Sequence, residues 1–243
     1  MDVFAGPDFR SAAYMADGRM LVACQASNKV FVASADGVLS NECLSADFQK
    51  PQCVATDGDT IYVVDRFNHC VKVFSDMKFL KVLNHDTPLK EPVGIAVHPT
   101  THNIYVADNE NHRVVVFNPI GTLLQVIPNL YCPCGLALYQ NLVIVAEWGS
   151  GQVQVFNAEG KSLLVLKGIQ HAHAVTCDSS GNVYVAQYSH KLICKFQIKV
   201  DDDGTPSFLV SGDKSPVAEA PCGLVVSPKG VVVVVTASKL LVI

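Results

Sequence analysis

A hydrophobic pattern that repeats about every 40 residues constrains the fold of this chain more than any other feature of its sequence. In each repeat, two short runs rich in Val, Ile, Leu, Phe and Tyr flank a polar turn. The last apolar residues of the second run recur at a nearly constant spacing, namely Ala33, Phe74, Phe117, Phe156 and Phe196. Short runs of this composition, separated by Gly, Asn, Asp and Pro, are typical of strands and turns. A period of this length, made of short strands, indicates a β-propeller.

Each repeat opens with an approximate Pro-x-Gly and an apolar run. Six such starts occur, near residues 9, 51, 92, 133, 172 and 221. Four strands per repeat would account for nearly all of the chain, but the sixth repeat ends one strand short. We therefore predict a single all-β domain over residues 1–243, a six-bladed propeller. In this prediction residues 2–5 form the outer strand of the last blade, which closes the ring and leaves few exposed edges.

Composition supports one domain and sets expectations about partners and location. The net charge is −4, which argues against nucleic acid or an anionic membrane as the partner. The apolar run at residues 230–237 is too short for a spanning helix, which needs about 20 residues. Nine cysteines form an odd set without the spacing of a disulfide framework, and no signal peptide pattern opens the chain. We expect a cytoplasmic monomer.

One polar cluster between two apolar runs has the composition of a catalytic or metal site: Asp108, Glu110, His112 and Arg113. The equivalent turns in other repeats carry drifting versions of it, with Glu147 and Gln187 in place of the aspartate. A catalytic site would need one repeat to keep the complete set of polar residues, and a recurring turn with varying residues does not need this. A carboxylate at a strand end can instead accept hydrogen bonds from the backbone of a turn, so we interpret the cluster as structural.

Residues 92–121, PVGIAVHPTTHNIYVADNENHRVVVFNPIG, resemble an NHL repeat. The usual features of that repeat are a Pro-x-Gly-Ile-Ala-Val start, a Tyr-Val-Ala-Asp strand end and an Asn-His-Arg turn. The second and third repeats of this chain match closely, the fourth and fifth moderately, and the first and sixth loosely. The resemblance implies a propeller that binds partners. NHL propellers serve as protein-binding domains, as RNA-binding domains and, in one enzyme class, as a lyase.

In a propeller, the first strand of each blade lines the central channel, and the x residues of the six starts should converge at one mouth of it. These residues are Arg10, Gln52, Val93, Cys134, His173 and Cys222. Thiolate and imidazole are zinc ligands, so Cys134, His173 and Cys222 are candidate metal ligands, with an ordinary channel lining as the alternative. Because side chains alternate along a strand, we expect only one of His171 and His173 to face the channel. No cofactor is predicted, with zinc or calcium left open.

Comparison with enzymes of similar fold favours a non-catalytic chain. The peptidyl-hydroxyglycine lyase, an NHL-type propeller, holds zinc with three channel histidines, and only His173 matches one of them. Many NHL domains end ubiquitin ligases, but this chain has no paired Cys/His zinc module, so it would act there as an adaptor or substrate receptor. RNA binding is a further alternative, although the basic residues near the mouth are offset by acidic ones.

The hairpin turns of the fourth and fifth repeats each carry an aromatic residue, Trp148 and Tyr188. Both rings should lie on the mouth face on neighbouring blades, with Arg66 across the channel and Arg10 within it. Trp, Tyr and Arg dominate the energetics of protein interfaces. We therefore predict a binding module or scaffold for a protein or peptide segment, anchored by Trp148 and Tyr188, with Arg66 or Arg10 available for a carboxylate. The alternative is that each ring covers apolar surface of its own blade.

Overall fold

A computed structural model describes residues 8–83, 88–201 and 205–243 and has the predicted all-β, six-bladed architecture. Each blade is an antiparallel sheet whose strands pair in chain order from the channel outwards. Blade one has β1 (Phe9–Tyr14), β2 (Met20–Cys24), β3 (Lys29–Ala33) and β4 (Leu39–Cys43); blade two has β5 (Pro51–Asp57), β6 (Thr60–Asp65), β7 (Cys70–Ser75) and β8 (Lys78–Leu83). Blade three has β9 (Ile95–Val97), β10 (Ile104–Asp108), β11 (Arg113–Phe117) and β12 (Leu123–Ile127).

The remaining three blades follow the same plan. Blade four has β13 (Pro133–Tyr139), β14 (Leu142–Glu147), β15 (Gln152–Phe156) and β16 (Ser162–Lys167); blade five has β17 (Ala172–Cys177), β18 (Asn182–Gln187), β19 (Leu192–Val200) and β20 (Pro206–Pro216). Blade six has β21 (Pro221–Val226), β22 (Val232–Thr236) and β23 (Leu240–Val242) within the described residues. Short 3-10 turns at Arg66–Asn68 and Asn109–Asn111 join the second and third strands of blades two and three.

The second strand of each blade forms the centre of the hydrophobic core. In β22, all five residues from Val232 to Thr236 are buried, as are those of β10 and β14. Such a strand has a neighbouring blade on each face, which allows continuous valine instead of alternation with polar residues. The valine run at residues 230–237 is therefore a buried blade strand. Within the described ranges, no helix is long and apolar enough to cross a membrane.

The glycine of the Pro-x-Gly starts is required where the inner strands of adjacent blades approach each other. A Cβ added to Gly94 would lie 2.0 Å from the carbonyl oxygen of Cys134 in the next blade. A Cβ on Gly223 of blade six would lie 2.5 Å from the carbonyl oxygen of Arg10 in blade one. Backbone this close leaves no room for a side chain. The second contact also shows that the first and last blades are neighbours and that the ring of inner strands is complete.

The predicted closing strand, residues 2–5, lies outside the described residues and stays a prediction. If these residues add an outer strand to blade six, deleting residues 1–6 should lower the melting temperature by several degrees. The expected size follows from roughly 1–2 kcal/mol of lost strand pairing, since 1 kcal/mol shifts the transition of a domain this large by about 2–4 °C. Differential scanning calorimetry of the full-length and shortened chains would measure the shift. An unchanged transition would contradict the closure.

Candidate binding site at the channel mouth

β-Bulges at the blade starts aim the predicted side chains at one mouth of the channel. The register of the inner strand shifts at Phe9/Ser11, Pro51/Cys53, Pro133/Leu136, Ala172/Ala174 and Pro221/Gly223. A bulge inserts an extra residue and re-aims its side chain. As predicted, the x residues meet there: Arg10, Gln52, Val93, Cys134 and His173 line a cavity of about 390 Å3, and Cys222 lines the adjoining channel.

The strand-end carboxylates hold the backbone of neighbouring loops, as the structural interpretation predicts. The Asp108 side chain is fully buried, and its Oδ1 accepts a hydrogen bond from the backbone N–H of Lys90 at 2.7 Å. Its Oδ2 accepts hydrogen bonds from Asn111 Nδ2 at 2.8 Å and from Arg113 Nε at 2.7 Å. Glu110 is exposed and takes no part in these bonds. Both carboxylate oxygens of Asp108 therefore have structural partners.

The same arrangement recurs in the other blades with different residues. Asp65 accepts hydrogen bonds from the backbone N–H of Gln49 at 2.7 Å and from Asn68 Nδ2 at 2.7 Å, and Lys72 Nζ lies 2.8 Å from it. In blade four, Glu147 Oε2 accepts the backbone N–H of Tyr131 at 2.6 Å. In blades two, three and four, the residues equivalent to Asp108 thus fix the loop that enters the blade. This explains why the sequence tolerates several acidic or polar residues there.

The histidines that end the 3-10 turns of blades two and three link these blades to the ones that follow them. His69 and His112 both have left-handed backbone conformations, with φ of 54°. The His69 Nδ1 atom accepts the backbone N–H of Glu91 at 3.0 Å, and the His112 Nδ1 atom accepts that of Cys132 at 3.3 Å. Each ring therefore bonds to the loop that begins the following blade.

The predicted aromatic pair does lie on neighbouring turns, and two histidines complete it. The ring centroid of Trp148 is 5.7 Å from that of Tyr188, 4.8 Å from that of His171 and 5.8 Å from that of His173. His173 and Tyr188 are 5.6 Å apart. We call these four residues the aromatic cluster. All four remain partly exposed, and the indole contacts three rings that belong to blade five.

Of His171 and His173, only His173 lines the channel and the mouth cavity, as expected, but the ring of His171 also contacts Trp148. His171 precedes β17 and has a left-handed backbone with φ of 53°, while His173 stands in the bulge of that strand. The alternation of side chains along a regular strand therefore does not apply to this pair. Both rings contact Trp148 as a result.

Burial keeps His173 and the cysteine thiols of the mouth in their neutral forms. Burial lowers the pKa of His173 to about 4; the positive charges of Arg10 and Arg66 add to this, against a hydrogen bond to the Cys222 carbonyl that raises it. The neutral ring donates its Nδ1–H to that carbonyl oxygen at 2.7 Å. Burial likewise raises the pKa of the Cys134 thiol to about 12 and raises that of Cys222.

The two arginines at the mouth differ in how completely they are paired. Arg66 donates from Nη2 and Nε to Glu91 Oε2, at 2.7 and 3.2 Å. Arg10 forms an ion pair with Asp8 through Nη2 at 2.5 Å, and its Nη1 reaches only the Cys222 sulfur at 4.0 Å. The Nε atom of Arg10 is buried and has no hydrogen-bond partner among the described residues.

The candidate metal ligands line one channel but bond to separate backbone groups. The Cys134 thiol donates to the carbonyl of Cys132 at 3.5 Å, and the Cys222 thiol donates to that of Ala220 at 3.6 Å. Within residues 8–83, 88–201 and 205–243, no three His, Cys, Asp or Glu side chains are grouped so that they could hold a metal ion. The arrangement therefore does not support a zinc site made by Cys134, His173 and Cys222. All nine cysteines are described and none forms a disulfide.

Sequence reasoning missed two residues that line the mouth cavity, Asn109 and Cys132. Asn109 lies in a 3-10 turn, is buried, and donates from Nδ2 to the carbonyl of Pro133 at 3.0 Å. Cys132, like His171, stands directly before a blade start with positive φ, here 51°. The repeats show which position precedes each start. They do not show that the backbone at Cys132 is left-handed, which decides where its side chain points.

Comparisons with known proteins agree on the fold. The NHL repeat model matches residues 48–74 and 89–117, within the second and third blades. The "Protein brain tumor" of Drosophila melanogaster is 26% identical to this chain over 161 residues. That match covers 61% of this chain and 14% of the fly protein, so the chain spans a small part of this relative's length.

Solved structures of very different sequence share the architecture. A chain of a nidogen/laminin complex superposes with a TM-score of 0.70 at 23% identity, covering 78% of this chain and 75% of that one. A gluconolactonase from Xanthomonas campestris gives a TM-score of 0.79 at 14% identity, over 98% and 86% of the two chains. A streptogramin B lyase gives 0.71 at 12%, over 99% and 95%. The chain is thus a six-bladed β-propeller whose second and third blades contain matched NHL repeats.

Proposed function

We propose that this chain is a non-catalytic binding module that captures a protein or peptide segment at the channel mouth. The observation that carries the proposal is the aromatic cluster, four partly exposed rings in mutual contact beside a cavity of about 390 Å3. Trp and Tyr supply large contact area at low cost in side-chain entropy and dominate binding energy at protein interfaces. A segment lying over blades four and five would cover this cluster.

The chemistry of the mouth favours binding over catalysis. A hydrolase or lyase needs convergent metal ligands or a nucleophile with an adjacent base. Here the imidazole of His173 is neutral and already donates to a carbonyl, and the nearby thiols are protonated. The acidic residues that resemble catalytic groups in the sequence are bound to backbone N–H groups. These side chains hold the scaffold that presents the cluster.

The basic residues near the mouth favour a peptide over RNA as the partner. RNA binding needs a field of unpaired Lys and Arg along the path of the phosphates. Arg66 is paired with Glu91, Arg113 with Asp108, and Lys191 donates to the carbonyl of Ala218. A peptide needs only anchors for one or two side chains. A module of this kind would also suit an adaptor or substrate receptor in ubiquitin-linked regulation, in the cytoplasm and as a monomer.

Selection of peptides from a random display library, followed by fluorescence anisotropy with a labelled selected peptide, tests the proposal. The same selection is run in parallel on a chain carrying Trp148→Ala together with Tyr188→Ala. We expect enrichment on the unmodified chain and none on the double variant, provided that both have the same melting temperature. If the two chains select the same peptides with the same affinity, the mouth is not the binding site.

A further inference from the structure

The guanidinium of Arg10 has spare hydrogen-bonding capacity at the channel mouth. Among the described residues, its one strong acceptor is Asp8, which contacts Nη2, whereas the Cys222 sulfur at 4.0 Å is a weak acceptor for Nη1. Nε is buried and has no partner among the described residues, although the side chain as a whole is 22% exposed. Guanidinium groups bind carboxylates through two parallel N–H groups. Nη1, whose only acceptor among the described residues is the weak Cys222 sulfur, is therefore the donor that a ligand carboxylate could take.

A continuous strip of contacts joins the aromatic cluster to this guanidinium. Trp148 contacts His173, the His173 ring donates to the Cys222 carbonyl at 2.7 Å, and the Cys222 sulfur lies beside Arg10. Trp148, Tyr188, His173 and Arg10 also line the same cavity. A ligand that fills this cavity would therefore place one end on the rings and the other end near Arg10.

The charges of the cavity favour an anion at the Arg10 end. Its lining includes Arg10, Arg66 and one carboxylate, Glu110, which is exposed and lies 3.9 Å from Lys90. The charge of Arg66 is balanced by Glu91 at 2.7 Å. Arg10 is likewise paired, with Asp8 at 2.5 Å, but it lies on the inner strand β1 whereas Arg66 lies in a hairpin turn, so Arg10 is the better placed of the two to receive the end of a segment that enters the channel.

We propose that the bound segment ends at the mouth, with its free C-terminal carboxylate on Arg10 and its last side chains on the aromatic cluster. This inference rests on the proposed function and specifies its ligand. Arg10 belongs to the inner strand β1 and is flanked by Gln52 and Cys222 of the adjacent blades, which line the same channel. A chain that descends from the hairpin turns toward this position can end there. A segment that crossed the mouth would need to turn back out of the ring.

The test uses a peptide selected by the full chain, synthesised with a free C-terminal carboxylate and with a C-terminal amide. We expect the amide to bind at least about tenfold more weakly, since hydrogen bonds to charged groups contribute about 1.5–3 kcal/mol. The penalty should disappear in Arg10→Gln and persist in the matched control Arg66→Gln. A third peptide keeps the free terminus but carries Asn or Gln at every Asp or Glu position, and it should bind normally.

The possible results distinguish a failure of the C-terminal assignment from a failure of the proposed binding function. If acid and amide bind the unmodified chain equally, the carboxylate site is wrong while the aromatic anchor stands, and this comparison needs no variant. If replacing Asp or Glu in the peptide lowers its affinity instead, Arg10 binds a side-chain carboxylate and the C-terminal assignment is wrong. A full amide penalty retained in a folded Arg10→Gln chain also overturns it. Failure to select any peptide would overturn the proposed function itself.

Discussion

Replacing Asp108 by Ala should destabilise the propeller by about 3–5 kcal/mol, the scale of removing one partner from a buried ionic network. The Asp108 carboxylate is fully buried and accepts hydrogen bonds from the Lys90 backbone, from Asn111 and from Arg113. The substitution would leave the half-buried Arg113 guanidinium and the loop N–H without their acceptor. Urea denaturation, followed by circular dichroism, would measure the loss as a lower midpoint.

The matched control is Glu110→Ala, two residues away in the same turn. Glu110 is exposed and its contact with Lys90 spans 3.9 Å, so its loss should change the free energy of unfolding by less than about 0.5 kcal/mol. Asp65→Ala in blade two should behave like Asp108→Ala, because its carboxylate has equivalent partners. An Asp108→Ala chain as stable as the control would contradict a structural role and reopen a catalytic one.

Replacing Trp148 by Ala should weaken binding of the selected peptide about thirtyfold or more, which corresponds to ~2 kcal/mol, the usual scale of an interface hot spot. The indole is the largest ring of the cluster and contacts the other three. Because it is only partly buried, its removal should change the free energy of unfolding by less than it changes the free energy of binding. Anisotropy titrations and urea midpoints on the same preparations would compare the two.

Phe79→Ala is the control for the loss of an exposed aromatic ring elsewhere. Phe79 is 49% exposed and lies on β8, the outer strand of blade two, with its ring against Phe74. It should leave peptide affinity unchanged. If Trp148→Ala lowers stability and keeps affinity, the indole is a packing residue and the binding site lies elsewhere on the chain.

The fold could be predicted from the sequence because the same strand and turn signals recur in every repeat. Six starts, six buried second strands and recurring turns all point to one arrangement, so the weak first and sixth repeats could be assigned from their neighbours. The repeats also distinguished a structural Asp108 from a catalytic one. The equivalent positions in other blades carry different residues, but each of these residues has a side-chain oxygen that can accept a hydrogen bond. The hydrogen bonds of Asp65 and Glu147 bear this out.

The site could be predicted only in part, because its geometry depends on local irregularities. The x residues were found from topology, but the bulges that aim them, and the positive φ of Cys132 and His171, depend on how each strand meets its neighbour. Sequence alone could not show how the two arginines of the mouth are paired. Asp8 lies two residues before Arg10, but Glu91 is remote from Arg66 in sequence and beside it in space.

Hydrogen–deuterium exchange of the full chain, with and without the selected peptide, tests the central claim most directly. Binding at the mouth should slow exchange in the hairpin turn after Glu147, in the residues before β17 and in the turn after Gln187, because these segments carry the aromatic cluster. The outer strands β8 and β12 should exchange at the same rate in both states. Protection confined to those outer strands, with the three mouth segments unchanged, would contradict this account.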